Sequence, residues 1–194
     1  MPKFASLNPL TVWLSQSLHL PKPYIKKNGT PSMSFRTPDL CDQFADNNRH
    51  LQIADPVFKS FGGIHSFCGR ISTLKTFEDN VLLRQVLEEK VEDRVLVIDG
   101  GGSHRCALFG GNLTKLACDN GWKGIIVYGC IRDSLEIAQL PIGVRALHTH
   151  PMKSHKRGGG DKDCLITFAG VNFRTGSYLY ADEDGIVVAE DKLI

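Results

Sequence analysis

The chain has 194 residues, 42% of them apolar, which suffices for one ordinary domain with a buried core. No run approaches the ~18 apolar residues that cross a bilayer, so a soluble globular protein is the expectation. The net charge of +2 is unevenly spread: residues 1–38 carry five cations and no acid, and the rest holds 18 cations against 21 acids, a net of −3, which argues against a nucleic-acid surface because phosphate binding needs clustered cations.

Residues 1–36 read as an N-terminal extension. Six of the nine prolines lie within the first 38 residues, so no helical or strand period is sustained there. The basic, Ser-containing, acid-free start has features of an organelle transit peptide, but it has few arginines and many prolines. The expectation is a cytoplasmic protein, with a mitochondrial or other organelle address through residues 1–36 as the alternative. Residues 37–194 form the second unit, a single catalytic domain.

Thr37-Pro38-Asp39 predicts a helix start: a Thr cap, Pro at the first position and an acid near the positive end of the dipole. The helix runs through Leu40 to Ala45. Residues 53–63 read as a loop ending in a glycine turn. Residues 64–77 hold β-branched and aromatic side chains in loose alternation and predict a strand. Asp79-Asn80 then caps a helix with Val81, Leu82, Val86 and Leu87 on one face.

Arg94 to Asp99 is nearly all apolar and predicts a strand buried on both faces. Gly100-Gly101-Gly102-Ser103 ends it. Residues 113–119 predict a helix opened by Gly110-Gly111-Asn112. Gly124 to Ile131 predicts a second buried strand, residues 134–140 a short helix, and Gly143 to His148 a third strand. This alternation argues an α/β unit with parallel strands. The glycine-rich basic loop 148–160 follows. Residues 164–173 and 177–190 read as strands, with Asp182-Glu183-Asp184-Gly185 as a hairpin turn formed by its acids.

Two loops carry the strongest chemical signal. Gly110-Gly111-Asn112-Leu113 sits at a helix start, where unpaired N–H groups favour a carboxylate and glycine permits close approach. Arg132-Asp133-Ser134-Leu135-Glu136 follows a buried strand, where ligands of open α/β sheets gather. Arg132 supplies a permanent planar cation for a carboxylate or enolate. Asp133 supplies a hard oxygen ligand for Mg²⁺ or Mn²⁺, with Glu136 on the same helical face, behind the direct ligand or acting through water. A capped helix with a surface ion pair is the competing reading of the same residues.

Other signals are weaker. Asp99–Ser103 lacks the spacing of a dinucleotide or P-loop turn and reads as a strand-end turn capped by Asp99. It also lacks the long helix and ribose-binding acid of an S-adenosylmethionine site. His148, His150 and His155 could hold zinc, but no cysteine or carboxylate lies close enough in sequence to complete the set. Lys153, Lys156 and Arg157 are either solvated loop charges or an attractant for an anionic substrate. The six cysteines form no C-x-x-C pair and read as reduced thiols.

From Thr37 to the C-terminus the chain resembles the family of the regulator of ribonuclease activity A and the class II 4-hydroxy-4-methyl-2-oxoglutarate aldolases. The markers include Leu40-Cys41-Asp42, Phe77-Glu78-Asp79-Asn80, residues 94–106 (RVLVIDGGGSHRC), residues 120–122 (NGW) and residues 129–133 (GCIRD). Gly143–Leu147, Pro151-Met152-Lys153 and Tyr180-Ala181-Asp182 add to them. The aldolase branch carries a Gly, twenty residues, Arg-Asp, two residues and an acid, and Gly111, Arg132, Asp133 and Glu136 match that spacing. Many aldolase members have Gly-Asp where this chain has Gly110-Gly111. The resemblance implies a compact α/β sandwich of the swivelling β/β/α type, assembled as a trimer or hexamer. It implies a divalent metal (Mg²⁺ or Mn²⁺) on Asp133, substrate contacts from Arg132 and the backbone of Gly110 to Leu113, and a pyruvate-forming lyase acting on a 2-oxo acid such as 4-hydroxy-4-methyl-2-oxoglutarate or oxaloacetate. The other branch implies a non-catalytic protein that binds a ribonuclease. The Arg132-Asp133 pair favours the enzyme.

Overall fold

The computed structural model describes residues 35–45 and 51–194, and Phe35–Ile194 form one compact unit. The expectations for residues 1–34, an extension or a targeting segment, lie outside the described residues. No helix among the described residues is long and apolar enough to cross a membrane.

A ten-stranded sheet forms the spine. Its centre is four parallel strands: β3 (Phe67–Lys75), β4 (Arg94–Asp99), β6 (Trp122–Ile131) and β7 (Gly143–Thr149). The edges are antiparallel. On one side lie β11 (Tyr178–Ala181), β12 (Ile186–Ala189) and β1 (Gln52–Ile53); on the other lies β2 (Lys59–Ser60). β8 (Asp161–Lys162) pairs with the end of β3, and β5 (Ala107–Phe109) pairs with the end of β6. β9 (Ile166–Phe168) and β10 (Val171–Phe173) make a separate hairpin. The mixed α/β architecture agrees with the sequence, and so do the three parallel strands read from the apolar runs.

Those runs are apolar throughout because both faces are covered. Along β4, Leu96 and Ile98 join the core under the helices, while Val95 and Val97 join the core under the β9–β10 hairpin. β6 divides in the same way, Ile125 and Val127 against Ile126. Period-two alternation persists, but with no polar side to reveal it. The helix layer is α2 (Val81–Leu87), α3 (Gly111–Asp119) and α4 (Ser134–Ile137). A third, smaller cluster joins α1 (Thr37–Phe44) to Tyr180 and Val187.

Three local expectations are corrected, and the Asp79-Asn80 cap of α2 is borne out with the capping bond made by Asp79. Thr37 is the first helical residue rather than the cap: Arg36 holds the cap position without a side-chain bond. The Thr37 N–H and hydroxyl instead donate to the two carboxylate oxygens of Asp182, each at 2.6 Å. Asp182 is therefore more than a turn former, since it also accepts the N–H groups of Asp184 and Gly185. The cap of α2 is Asn80, which makes no side-chain cap bond; Asp79 one residue earlier accepts the Val81 N–H at 2.9 Å. The stretch read as the loop 53–63 contains β2 and the end of β1, two-residue strands too short to carry a period.

Candidate active site

Two consecutive strands on one side of β6 create the site. β4 pairs with β6 up to Tyr128, then turns away through Gly100–Gly102, and β5 takes its place against Cys130 and Ile131. α3 follows β5 and α4 follows β6. The loops at the carboxyl ends of two adjacent parallel strands are thus neighbours, as their place in an α/β sheet requires. They are laced together directly: the Arg132 N–H donates to the Phe109 carbonyl at 3.0 Å.

Asp133 sits at the cap position of α4 with φ +58° and ψ +38°, a left-handed conformation that Asp tolerates better than most side chains. This turns its carboxylate back toward α3. Oδ2 accepts the Gly111 N–H at 3.0 Å and lies 3.5 Å from Arg132 Nε. Oδ1 has no protein partner among the described residues. The glycines leave room for this approach, since a side chain at either position would displace a carboxylate from its present place. A Cβ on Gly110 would lie 2.8 Å from Asp133 Oδ2, and one on Gly111 would lie 2.3 Å from Glu136 Oε2. What comes close to the glycine backbone is the chain's own carboxylates, in addition to any ligand.

Gly111, Asn112 and Leu113 open α3. Their N–H groups lack the intrahelical acceptors that the first turn leaves unsupplied; that of Gly111 is taken by Asp133, and the first bond of the ladder is Thr114 N–H to Gly110 carbonyl at 3.0 Å. The amides of Asn112 and Leu113 remain for a ligand at the positive end of the helix. A pocket of about 320 Å³ opens here, bordered by Gly110, Asn112, Leu113, Arg132 and Asp133. Arg132 and Asp133 are 40% and 41% exposed at the side chain, so both remain reachable.

Glu136 is placed differently. Its Oε1 pairs with Lys115 Nζ at 2.5 Å, and this bond, with the attraction behind it, raises the Lys115 ammonium above its ordinary value. Glu136 is therefore beside the glycine turn but already engaged. A metal fits this donor set in one way: Asp133 offers a free hard oxygen, and Mg²⁺ commonly takes one or two carboxylates with water and substrate oxygens completing its shell. Among the described residues no group of three or more His, Cys, Asp and Glu side chains converges. His148 lies against His104, ring centroids 4.9 Å apart, and Lys59 Nζ is 3.1 Å from its Nδ1. Lys59 first, then burial and His104, push its pKa below the ordinary imidazole value.

The basic loop is brought to the same place. Lys153 and Lys156 border the pocket, whereas the Arg157 N–H is donated to Asp79. Sequence reasoning missed the start of α2, whose Asn80, Val81 and Arg84 form the opposite wall, and Ser154 between the two lysines. The helix was legible; nothing local said which loops its first turn would face. Asp99 behaves as read, accepting the Gly101 N–H at 2.9 Å, and the glycine turn leads into β5 rather than a helix. The described cysteines are free thiols, with Cys106 and Cys130 buried.

Comparison with known proteins places this geometry in context. A family model described as RraA-like, Aldolase/RraA, matches residues 37–188. A protein of Methylococcus capsulatus, provisionally named 4-hydroxy-4-methyl-2-oxoglutarate aldolase, is 68% identical over 162 residues, covering 84% of this chain and 100% of the relative. A protein of Laribacter hongkongensis with the same provisional name is 57% identical over the same shares of each. Among solved structures, one from Geobacillus kaustophilus, described as an S-adenosylmethionine:2-dimethylmenaquinone methyltransferase, is 50% identical with a TM-score of 0.79, covering 82% of this chain and 97% of that one. The RNA-processing inhibitor RraA of Thermus thermophilus is 45% identical with a TM-score of 0.79, covering 84% and 96%.

Proposed function

Because this chain belongs to the RraA-like family, we propose that it is a divalent-metal-dependent carbon–carbon lyase that releases pyruvate from a 2-oxo acid. 4-Hydroxy-4-methyl-2-oxoglutarate is the first substrate to test, since relatives over half identical carry its aldolase name; oxaloacetate is the second. The observation that carries the reading is the Asp133 carboxylate, held 3.0 Å from the Gly111 N–H and 3.5 Å from Arg132 Nε on the rim of a pocket.

In this reading Asp133 would hold Mg²⁺ or Mn²⁺ through Oδ1, which has no partner among the described residues, with Glu136 contributing at most through water. The metal supplies electron withdrawal from the 2-oxo acid. The chain does the rest. The amides of Asn112 and Leu113 receive the substrate's 1-carboxylate at the positive end of α3. The bond between C3 and C4 breaks, its electron pair stays on C3, and the C4 hydroxyl gives its proton to solvent water in the open pocket and becomes a carbonyl. The Arg132 guanidinium lies beside the oxygen where the enolate charge develops. Protonation at C3 gives pyruvate. Loss of CO₂ from oxaloacetate leaves the same enolate, so one site serves both reactions.

The test is a coupled pyruvate assay on both substrates with Mg²⁺, with Mn²⁺ and with chelator. Metal-dependent release from either substrate is expected; release that chelator leaves untouched contradicts the metal role. A homotrimer or hexamer is part of the same proposal. The second reading, a protein that binds a ribonuclease, is favoured by the 45% identity to a protein solved as an RNA-processing inhibitor. Retention of a ribonuclease on the immobilised chain, together with no pyruvate release under any metal, is the outcome that selects it.

A further inference from the structure

A buried guanidinium lies on the face of the sheet away from the helices. Along β7, Val144 and Ala146 join the core under the helices, so Arg145 between them projects to the opposite face, where its guanidinium lies 5.9 Å from the Phe67 ring centroid. Arg145 is 5% exposed. Buried charges are ordinarily paired, yet among the described residues no carboxylate forms an ion pair with it. Its Nη2 donates to the His65 carbonyl at 2.8 Å and to the Asp182 carbonyl at 2.5 Å. Its Nε and Nη1 donate to no acceptor among the described residues, and neither is a fully covered atom. These two nitrogens therefore meet open space, and the open space that Arg145 borders is a pocket of about 300 Å³.

The rim of that pocket has the opposite charge. Asp55, Glu183 and Asp184 are exposed on it. Asp184 has a loose partner in Arg36 at 3.9 Å, and Asp55 and Glu183 pair with no cation among the described residues. Asp182 borders the pocket too, but its oxygens are taken by Thr37, Asp184 and Gly185. Burial lowers the Arg145 pKa, and Glu183 and then Asp182 oppose the shift, so an acid of the rim lies within electrostatic reach of the floor. Ile53, Phe58 and Ile186 supply an apolar wall. The walls are tied in place: the Ala54 N–H donates to the Ile186 carbonyl at 3.0 Å, and the Asp55 N–H to the Ala169 carbonyl at 2.9 Å.

We infer that this pocket binds an apolar α-amino acid: Arg145 receives the α-carboxylate through the donors it has left, Asp55 and Glu183 receive the α-ammonium, and Ile53, Phe58 and Ile186 take the side chain. A simple anion satisfies the floor but is repelled by the rim. A simple cation satisfies the rim but leaves the guanidinium, permanently charged, without an acceptor. A zwitterion answers both with one molecule. The pocket shares no residue with that of Arg132 and Asp133, so the site stands whether or not the chain is a lyase.

The test is calorimetric titration of the full chain with three probes: L-leucine, 4-methylpentanoate, which lacks the ammonium, and 3-methylbutylamine, which lacks the carboxylate. Leucine should bind about tenfold or more tightly than either of the others, the scale of one added charge-assisted contact. The Asp55→Asn/Glu183→Gln variant, altered only at exposed side chains, should bring leucine and 4-methylpentanoate within about twofold of each other, as expected once the ammonium has lost its charged partners. Arg145→Gln should abolish leucine binding; because that side chain is buried, circular dichroism checks its fold, and the exposed double variant decides where Arg145→Gln does not fold. Absence of leucine binding, 3-methylbutylamine or 4-methylpentanoate binding as tightly as leucine to the wild type, or a leucine advantage intact in the Asp55/Glu183 variant overturns the site.

Discussion

Two carboxylate–guanidinium pairs sit on neighbouring loops and behave in opposite ways. Glu78 and Asp133 both have left-handed backbones, φ +53° and +58°. Glu78 is tightly held: its Oε1 takes Arg105 Nε at 2.7 Å and the Ser103 hydroxyl at 2.6 Å, and its side chain is 14% exposed. The bonds from Arg105 and then Ser103 pull its pKa below the ordinary carboxylate value. Asp133 has a looser guanidinium contact at 3.5 Å, one backbone donor, and a side chain 41% exposed on the rim of the pocket. Similar chemistry makes a clip in one place and leaves binding capacity in the other. What separates them is the tightness of the guanidinium contact, 2.7 Å against 3.5 Å, and the exposure of the carboxylate, 14% against 41%.

That contrast can be broken from either side. Arg132→Lys keeps the charge but loses the planar fork; pyruvate release should fall about 10²-fold, with thermal unfolding unmoved. Arg105→Lys at the tighter pair should leave release within about twofold, because its side chain is 71% exposed and does not border the pocket of Arg132 and Asp133. Equal losses in the two variants would erase the distinction.

Asp79→Ala addresses the frame rather than the site. Asp79 is buried and accepts N–H groups from Val81, Arg157 and Gly158. Removing it strands those donors and should cost about 3 kcal/mol, a fall in Tm of about 10 °C for a chain of this size. An unchanged melting curve would show that the loop holding Lys153–Lys156 does not depend on that carboxylate.

The acid limb of stability has a defined sign. Burial alone would raise the Asp79 pKa, but the backbone donors from Val81, Arg157 and Gly158 outweigh it and lower the pKa. Glu78 is lowered as well. Carboxylates with depressed folded pKa values add stability above their unfolded pKa of about 4 and lose it as pH falls through the lower folded values. The depressed imidazole of His148 acts in the same direction below about pH 6.5. Urea midpoints should therefore drop on acidification, and Glu78→Gln should flatten the part of that drop below about pH 4. An unaltered acid profile in that variant would contradict the assignment. The smallest change is expected from Lys115→Met, which breaks an exposed pair with Glu136; Tm should move by no more than about 1 °C.

The sequence announced strongly patterned elements and little of what ties them together. β4 and β6 were legible because residues 95–98 and 124–131 run without a charged residue, as strands covered on both faces do. The site loops were legible because glycines, Arg132 and Asp133 follow predicted strands. β5 was not, since three apolar residues carry no period; yet its replacement of β4 beside β6 is what makes the loops adjacent. Asp182 and Asp79 were legible only as turn and cap residues. Their partners lie 145 and 78 residues away, at Thr37 and Arg157, and such bonds leave no local signature. The Ser154 hydroxyl between two lysines was invisible for the same reason: burial is a property of the fold.

The central claim is that Asp133 anchors a cation that makes carbon–carbon cleavage possible. It is tested most directly by metal-dependent pyruvate release from 4-hydroxy-4-methyl-2-oxoglutarate and oxaloacetate in wild type and Asp133→Asn, a substitution that suits the left-handed backbone and removes the charge. The account predicts release that chelator abolishes in the wild type and a loss of about 10²- to 10³-fold in the variant, with the same melting temperature. Release by Asp133→Asn at the wild-type rate, on either substrate, would contradict it.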